Sequence, residues 1–568
     1  MSQSSPSLSS PAPAPAAFPS PWQRLRAPRS PQAVVLILSA WLTLTANWAL
    51  WLRLPTLDGY TGSLAILVLR ALPLVFFAIT LLLSFTAWPR WMKPIWLILL
   101  LTAACSQYFM VEYGTMMDSG MINNVLQTDA RESADLFNPK LLLEVAVIAG
   151  LPALWLWRLP IRRSRSALVS LLRTLGLFAL AGALLAASVF VSYRELAPVV
   201  RNNLWLRYMF NPVNPVLAVV DTALGPVLHP KKPFVSITAG AALGASYAAG
   251  NKPPLFVLVV GETARSANFS LNGYARDTNP ELARRNVLSW RNAYSCGTST
   301  RESVPCMFSH LGRENFFSAK ADYDNLLDVL QAAGLAVLWL DNQAGCKGVC
   351  DRVPSASTAD RVNTADGKAL CTADGECLDG MLLSGIDERI AKLDPARRAK
   401  GIVLVMHEMG SHGPAYYKRS TPETKVFKPE CETNALSSCP RENVVNVYDN
   451  SIRYGDLFLS QTIDWLKQQQ SHYETAMLYM SDHGESLGEN GLYLHGIPYA
   501  IAPDEQKHVP MVAWLGNLGE RTHVADACLR KELDKPVSHD NLFHTVLGLM
   551  DVASPSYKPA LDALQSCR

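Results

Sequence analysis

Two hydrophobic patterns divide the chain. Up to about residue 192 the apolar positions form long runs with few breaks, whereas after residue 254 they form runs of five to seven, separated by helix-length amphipathic stretches. A helix needs about 20 apolar residues to cross a hydrocarbon core. Five segments meet that length: 33–53, 64–87, 95–112, 141–158 and 169–192. The first is read as a span and not a signal peptide, because a Ser/Pro/Ala-rich stretch precedes it and four more spans follow. Arg24, Arg26 and Arg29 precede span one, Arg90 and Lys93 separate spans two and three, and Arg158, Arg162, Arg163 and Arg165 separate spans four and five. These basic segments alternate, which places them together in the cytoplasm. The loop between spans three and four carries Glu112, Asp118, Asp129, Glu132 and Asp135 and falls outside. Everything after span five is then also outside.

The short runs are "LFVLVVG" (255–261), "LAVLWLD" (335–341), "GIVLVMH" (401–407), "TAMLYMSD" (475–482) and "VPMVAWLG" (509–516). Continuous apolar runs of this length predict strands buried on both faces of a parallel sheet. The stretches 321–334 and 444–470 supply covering helices, and the alternation predicts a doubly wound α/β sheet. The expected organisation is a disordered tail (1–30), a membrane domain of five helices (31–192), an amphipathic connector and linker (193–253) and a soluble domain outside the membrane (254–568).

Net charge is +3 over 568 residues, so no global field points to nucleic acid. All 11 histidines follow residue 228, and of the 11 cysteines all but Cys105 follow residue 295. Cys296/Cys306, Cys346/Cys350, Cys371/Cys377 and Cys431/Cys439 form close pairs in the domain expected outside, where disulfides persist. Cys528 and Cys567 are available for a fifth bridge. Zinc binding is the other reading, since Cys346 and Cys350 approach zinc-ligand spacing.

In doubly wound sheets, sites form beyond the carboxyl ends of the strands. Glu262 follows the first run, His407 and His412 follow another, and Asp482 and His483 follow a third, with Glu485 and His495 in the loop beyond. Oxygen and imidazole donors in this mixture suit zinc, with manganese as an alternative. The segment "SCGTSTRESVPCMFS" (295–309) places Thr300 just before a predicted helix. A hydroxyl there meets backbone N–H groups that favour a phosphate, and next to a metal it loses its proton more readily. The plainer reading makes Thr300 a helix N-cap.

"GETAR" with "NFSLNGYARDTNP", "SCGTST" with "SVPCMFS", "DN" followed by "KGVCDR", "GSHGPAYYKR", "SDHGESLGENGLYLHG" and, in the membrane half, "YGTMMDSGMINNVLQTD" together resemble the motifs of the lipid A phosphoethanolamine transferases, the group that includes the mobile colistin-resistance enzymes. The resemblance implies an alkaline phosphatase/sulfatase-type soluble domain. It implies one or two Zn2+ ions, one held by Glu262, Thr300, Asp482 and His483, with Thr300 as nucleophile. His412, His495, Glu485 and Lys347 match positions that bind a second metal or the phosphoryl group, and Asn124, Thr128 and Glu132 match positions for the lipid head group. It further implies phosphatidylethanolamine as donor, lipid A as acceptor, a covalent phosphoethanolamine–enzyme intermediate, a monomeric bacterial inner-membrane protein with its catalytic domain in the periplasm, and polymyxin resistance.

The chain departs from that pattern in two places. Gln343 and Ala344 stand where related enzymes often carry Asn and Ser, and Arg301 and Glu302 follow Thr300 where small or apolar residues are usual. Two alternatives stay open: transfer to a lipopolysaccharide core sugar, and a zinc phosphatase or sulfatase. A sulfatase would carry a Cys/Ser-x-Pro-x-Arg segment, and "STRESVP" does not supply it in register.

Overall fold

The computed structural model describes residues 27–57, 62–88, 91–128, 130–162, 164, 166–228, 232–248, 252–372 and 375–568. Most of the expected N-terminal tail, and Arg24, Arg26, Arg90, Arg163, Arg165 and Asp129, lie outside them.

Among the described residues, four helices are long and apolar enough to cross a membrane: Leu64–Phe85, Met92–Glu112, Pro139–Arg158 and Ala167–Tyr193. The first expected span is a bent pair, Pro31–Thr45 and Trp48–Thr56, with a 42° angle at the break. Asn47 sits at that break. Its amide donates to the Asn211 carbonyl at 2.7 Å, and its side-chain oxygen accepts from the Asn211 N–H at 3.0 Å. A break in a helix frees backbone polar groups, and the buried asparagine pair satisfies part of that demand. In the expected amphipathic connector, the apolar helix Val213–Leu228 packs on the helix Ser119–Gln127.

The soluble half is built on eight strands: β1 (Pro254–Gly261), β2 (Leu288–Tyr294), β3 (Ala336–Asp341), β4 (Ser355–Ser357), β5 (Ile402–His407), β6 (Glu474–Ser481), β7 (His508–Trp514) and β8 (Val537–Ser538). They form one sheet in the order β8-β2-β7-β6-β1-β5-β3-β4. All eight residues of β1 are buried. Phe256, Leu258 and Val260 enter one core, Leu255, Val257 and Val259 the other. With side chains alternating between faces, a strand covered on both sides must be apolar at every position, which is why it carries no alternation. The long helix Arg441–Gln469 covers one face and the helix His539–Leu549 the other.

β6, β1, β5 and β3 are parallel, as expected, and β4, which is not among the expected strands, extends them in the same direction. β7 is not: it runs antiparallel to both β6 and β2, so the sheet is mixed. A parallel partner requires a crossover long enough to return the chain to the starting edge. The segment between β6 and β7 instead stays at the carboxyl edge of β6, folding a small hairpin of Ser486–Leu487 with Tyr493–Leu494. The helix expected over 321–334 is shorter, Leu326–Ala332. Asp322–Tyr323 pairs with Phe234–Val235, and Asn325 caps the helix late through a capping box with Asp328. Thus part of the expected linker is bound to the soluble domain, and Ala242–Leu243 likewise pairs with Val552–Ala553.

The two halves meet along the segment after span three. Glu112 accepts from Ser437 Oγ at 2.8 Å and is ion-paired with Lys140. Tyr113 donates to the Asn434 carbonyl at 2.9 Å, and its own carbonyl accepts from the Tyr493 N–H at 2.8 Å. Asp135 is ion-paired with Lys418 and Arg419, both of which also pair with Glu376.

Candidate active site

Five segments converge at the carboxyl edge of β1, β5 and β6. Glu262 extends from β1, and Asp482 and His483 extend from β6; all three are fully buried. Beside Glu262, Thr263 takes a left-handed backbone (φ 53°), uncommon outside glycine. The Thr263 N–H faces Asp482 Oδ1 at 3.3 Å, and its carbonyl accepts from Tyr448 at 2.7 Å. Gly410 packs against this turn: a Cβ there would lie 2.6 Å from the Glu262 carbonyl oxygen, so only glycine fits.

Thr300 opens the helix Thr300–Met307, whose N-cap is Ser299. Its hydroxyl is therefore not spent on capping. Oγ1 lies 3.2 and 3.1 Å from the Glu262 oxygens and 3.4 Å from His483 Nε2. A disulfide between Cys296 and Cys306 brackets the helix. All five expected cysteine pairs are disulfide-bonded, and Cys105 is free. The nucleophile loop is also tied to the His495 loop, through Gly496 N–H to the Thr298 carbonyl at 2.8 Å and Thr298 Oγ1 to the Ile497 carbonyl at 2.6 Å.

The donor set fits a metal ion. Glu262, Asp482 and His483 each aim one ligand atom into a space where all lie within 4.8 Å of one another. His483 Nδ1 faces the Gly484 carbonyl at 2.9 Å. A carbonyl only accepts, so Nδ1 carries a proton, and Nε2 is the nitrogen that faces the shared space. Asp482 Oδ2 is buried without a hydrogen-bond partner and lies 3.4 Å from His483 Nε2, so its charge depends on a cation in the shared space, either the imidazolium or a metal ion in its proton's place. The electrostatics agree. Burial works against the Glu262 charge, yet the adjacent His483 holds that carboxyl well below its usual range. Burial and the Glu262 charge push Asp482 up to about 6. Burial opposes charge on His483 too, but Asp482 and Glu262 raise it to about 10. The pair of carboxylates thus holds positive charge at this point. Among the described residues, the other group of three such ligands is Cys346, Cys350 and Asp351, whose cysteines are disulfide-bonded; the zinc alternative for that pair falls.

His412, His495 and Lys347 line the same cavity as Thr300. The rings of His483 and His495 are 4.3 Å apart, and those of His412 and His495 are 5.3 Å apart. Glu485 is fully buried and faces His495 Nδ1 at 3.3 Å, with burial pushing it up to about 8. His407 is separate: its Nδ1 meets Asp341 at 2.9 Å. Asn124 and Thr128, on the segment after span three, line the same cavity as Thr300, with Phe109, Tyr113 and Met121 adding apolar wall. Glu132 lies in the helix Ala130–Leu136, and its side chain is outside the described residues.

Two contacts were not foreseen from the sequence. Gln343 donates to Glu262 Oε2 at 2.8 Å, so the departure at that position touches the candidate ligand. His539, fully buried, accepts from the Cys296 N–H at 3.0 Å through Nδ1 and faces the Ser481 carbonyl at 2.9 Å through Nε2. It braces the nucleophile loop against the strand end that carries Asp482. The only local signal at 539 is the first turn of a capped helix, which says nothing of partners far away in sequence.

Comparison with known proteins agrees with this architecture. A family model described as Sulfatase matches residues 254–552, and one described as Phosphoethanolamine transferase EptA/EptB matches residues 75–225. The chain is 41% identical over 520 residues to phosphoethanolamine transferase EptA of Escherichia coli (strain K12), covering 89% of this chain and 91% of that one. It is 37% identical over 540 residues to phosphatidylethanolamine transferase Mcr-1 of Escherichia coli, covering 93% and 96%. The integral membrane lipooligosaccharide phosphoethanolamine transferase A of Neisseria meningitidis superposes with a TM-score of 0.88 at 36% identity, covering 95% of this chain and 100% of that one. A catalytic domain of sulfatase type, carried on a bundle of membrane helices and matched along nearly its whole length by these enzymes, places the chain in the phosphoethanolamine transferase family.

Proposed function

We propose that this enzyme sits in the bacterial inner membrane, with its catalytic domain in the periplasm, and transfers phosphoethanolamine from phosphatidylethanolamine to a phosphate of lipid A. The observation that carries the reading is the Thr300 hydroxyl. It lies 3.1 Å from Glu262 and 3.4 Å from His483, in a cavity whose other wall is built by the membrane half. A lipid donor held at that wall presents its head group to the hydroxyl.

Glu262, Asp482, His483 and Thr300 would hold zinc. When bound, the ion supplies Lewis-acid charge that lowers the pKa of the threonine hydroxyl. Thr300 gives its proton toward Glu262 and its oxygen attacks the donor phosphorus. The bond from phosphorus to the diacylglycerol oxygen breaks, and His412 or His495 protonates that leaving oxygen. An oxygen of the acceptor phosphate then attacks the phosphorus and gives its proton to the histidine, the bond from phosphorus to Thr300 Oγ1 breaks, and Thr300 takes its proton back from Glu262. Lys347 faces the charge on the phosphoryl oxygens. A positioned acid of this kind contributes about 10²–10⁴-fold. Asn124, Thr128 and Glu132 are assigned to the donor head group. The product sets an ammonium beside an anionic phosphate, which weakens binding of cationic peptides, so polymyxin resistance is the expected phenotype.

Lipid A from cells expressing the wild-type chain should gain phosphoethanolamine in mass spectra, and the T300A variant, folded and membrane-inserted, should add none. Wild-type transfer by T300A would refute the assignment. Modification at a core sugar in place of a lipid A phosphate would redirect the acceptor.

A further inference from the structure

Arg301 immediately follows the nucleophile, in the first turn of the same helix. Among the described residues its guanidinium has no hydrogen-bond or ion-pair partner; the charge acting on it is that of its neighbour Glu302. Glu302 does not neutralise it by contact, because that carboxyl is buried and turned back to the Thr298 N–H. Lys347 lines the same cavities as Arg301, on a loop closed by the Cys346–Cys350 disulfide, with a left-handed backbone (φ 51°) and its ammonium donating to the Ala344 carbonyl at 2.9 Å. Two cavities meet here. One holds Thr300 and the apolar wall from the membrane half; the other is an open cleft lined by Gln127, Arg301, Pro305, Ala344 and Lys347. Arg301, Lys347 and Gln127 line both, and no carboxylate among the described residues lines either.

The two cations therefore mark the passage between the nucleophile and the open side. A partly exposed guanidinium with no protein partner is solvated by water, so a phosphate can take its N–H groups without breaking a protein contact. The open cleft lacks the wall formed by Phe109, Tyr113 and Met121, so it does not suit the acyl chains of a donor lipid. It suits a polar sugar bearing a phosphate. Guanidinium matches a phosphate monoester through two parallel N–H···O bonds, whereas a sugar hydroxyl offers no such match.

We propose that Arg301, with Lys347 lining the same cavities, recognises the acceptor, and that it selects a sugar carrying a phosphate monoester over one offering only a hydroxyl. This rests on the transferase reading above and adds the residue that reads the acceptor's phosphate. It also gives the Arg301 departure a physical purpose.

The two half-reactions separate the outcomes. Full-length enzyme in detergent is given phosphatidylethanolamine without acceptor, and the burst of diacylglycerol measures loading of Thr300. Preloaded enzyme is then discharged by increasing lipid A. R301A should raise the lipid A concentration needed for half-maximal discharge by about 10- to 100-fold, the loss expected for a charge-assisted contact, while the loading burst persists and certifies the fold. R301K should recover part of the loss, and R301E should exceed it. Unchanged discharge in R301A overturns the proposal. Loading slowed as much as discharge also overturns it and assigns Arg301 to the donor phosphate. Discharge of the wild type by a lipid A lacking phosphates as readily as by the phosphorylated form overturns the selectivity. A wild-type enzyme that never loads Thr300 sinks the transferase reading itself, and this proposal with it.

Discussion

Replacing His539 with Phe isolates the brace between the two halves of the catalytic cluster. The Cys296 N–H can only donate, so His539 Nδ1 is unprotonated and Nε2 donates to Ser481. The ring is therefore neutral, and its pKa is lowered from 6.5 to about 4, chiefly by burial. Phe keeps the ring but leaves the Cys296 N–H and the Ser481 carbonyl buried and unpaired. At about 1–3 kcal/mol for each group, the variant should lose roughly 2–6 kcal/mol of stability at pH 7.5. The pH dependence is more diagnostic. A histidine whose folded pKa is depressed contributes stability that is complete above the unfolded pKa and lost as pH falls toward the folded one. Here the window runs from 6.5 down to about 4. By pH 5 the wild type should have lost about 2 kcal/mol of that contribution, out of about 3 in all. H539F has nothing to lose there, so its penalty relative to wild type should shrink by about 2 kcal/mol between pH 7.5 and 5. Denaturant unfolding of both full-length proteins in detergent, followed by tryptophan fluorescence at the two pH values, measures this. A penalty that stays constant or grows on acidification would mean that the ring is charged in the fold, and the brace as described would be wrong.

Two further outcomes follow from contacts at the site and between the halves. Gln343→Ala removes the amide that orients Glu262 and should weaken metal binding by about 10- to 100-fold, measured by competition with a chelator; unchanged affinity would show that Gln343 does not position the carboxylate. Asp135→Ala removes a buried partner of Lys418 and Arg419. The cost should be roughly 1–3 kcal/mol, below that of a lone buried pair because Glu376 still faces both cations. Faster hydrogen exchange around Tyr113 and Asn434, where the halves touch, would register it.

Sequence by itself determined what depends on local transfer from water. Run length is set by membrane thickness, so the spans were legible to within a few residues, although the break at Asn47 was not. Strands covered on both faces must be apolar throughout, so β1, β5 and β6 could be read, and with them the strand-end positions of Glu262, Asp482 and His483. The close cysteine pairs were readable because short loops bring their ends together. Tertiary structure decided whatever depends on partners distant in sequence. The direction of β7 followed from a loop that stays at one edge, not from its own residues, which are as apolar as those of a parallel strand. The Gln343 contact to Glu262 and the His539 bridge between Cys296 and Ser481 span 81 and up to 243 positions. Periodicity carries no information about such pairs, because it reports which face of an element is buried and not which atoms lie opposite. The same holds for Asn124 and Thr128. Their place in the cavity that holds Thr300 is set by how one half docks on the other, through buried charges and hydrogen bonds whose partners only the folded chain brings together.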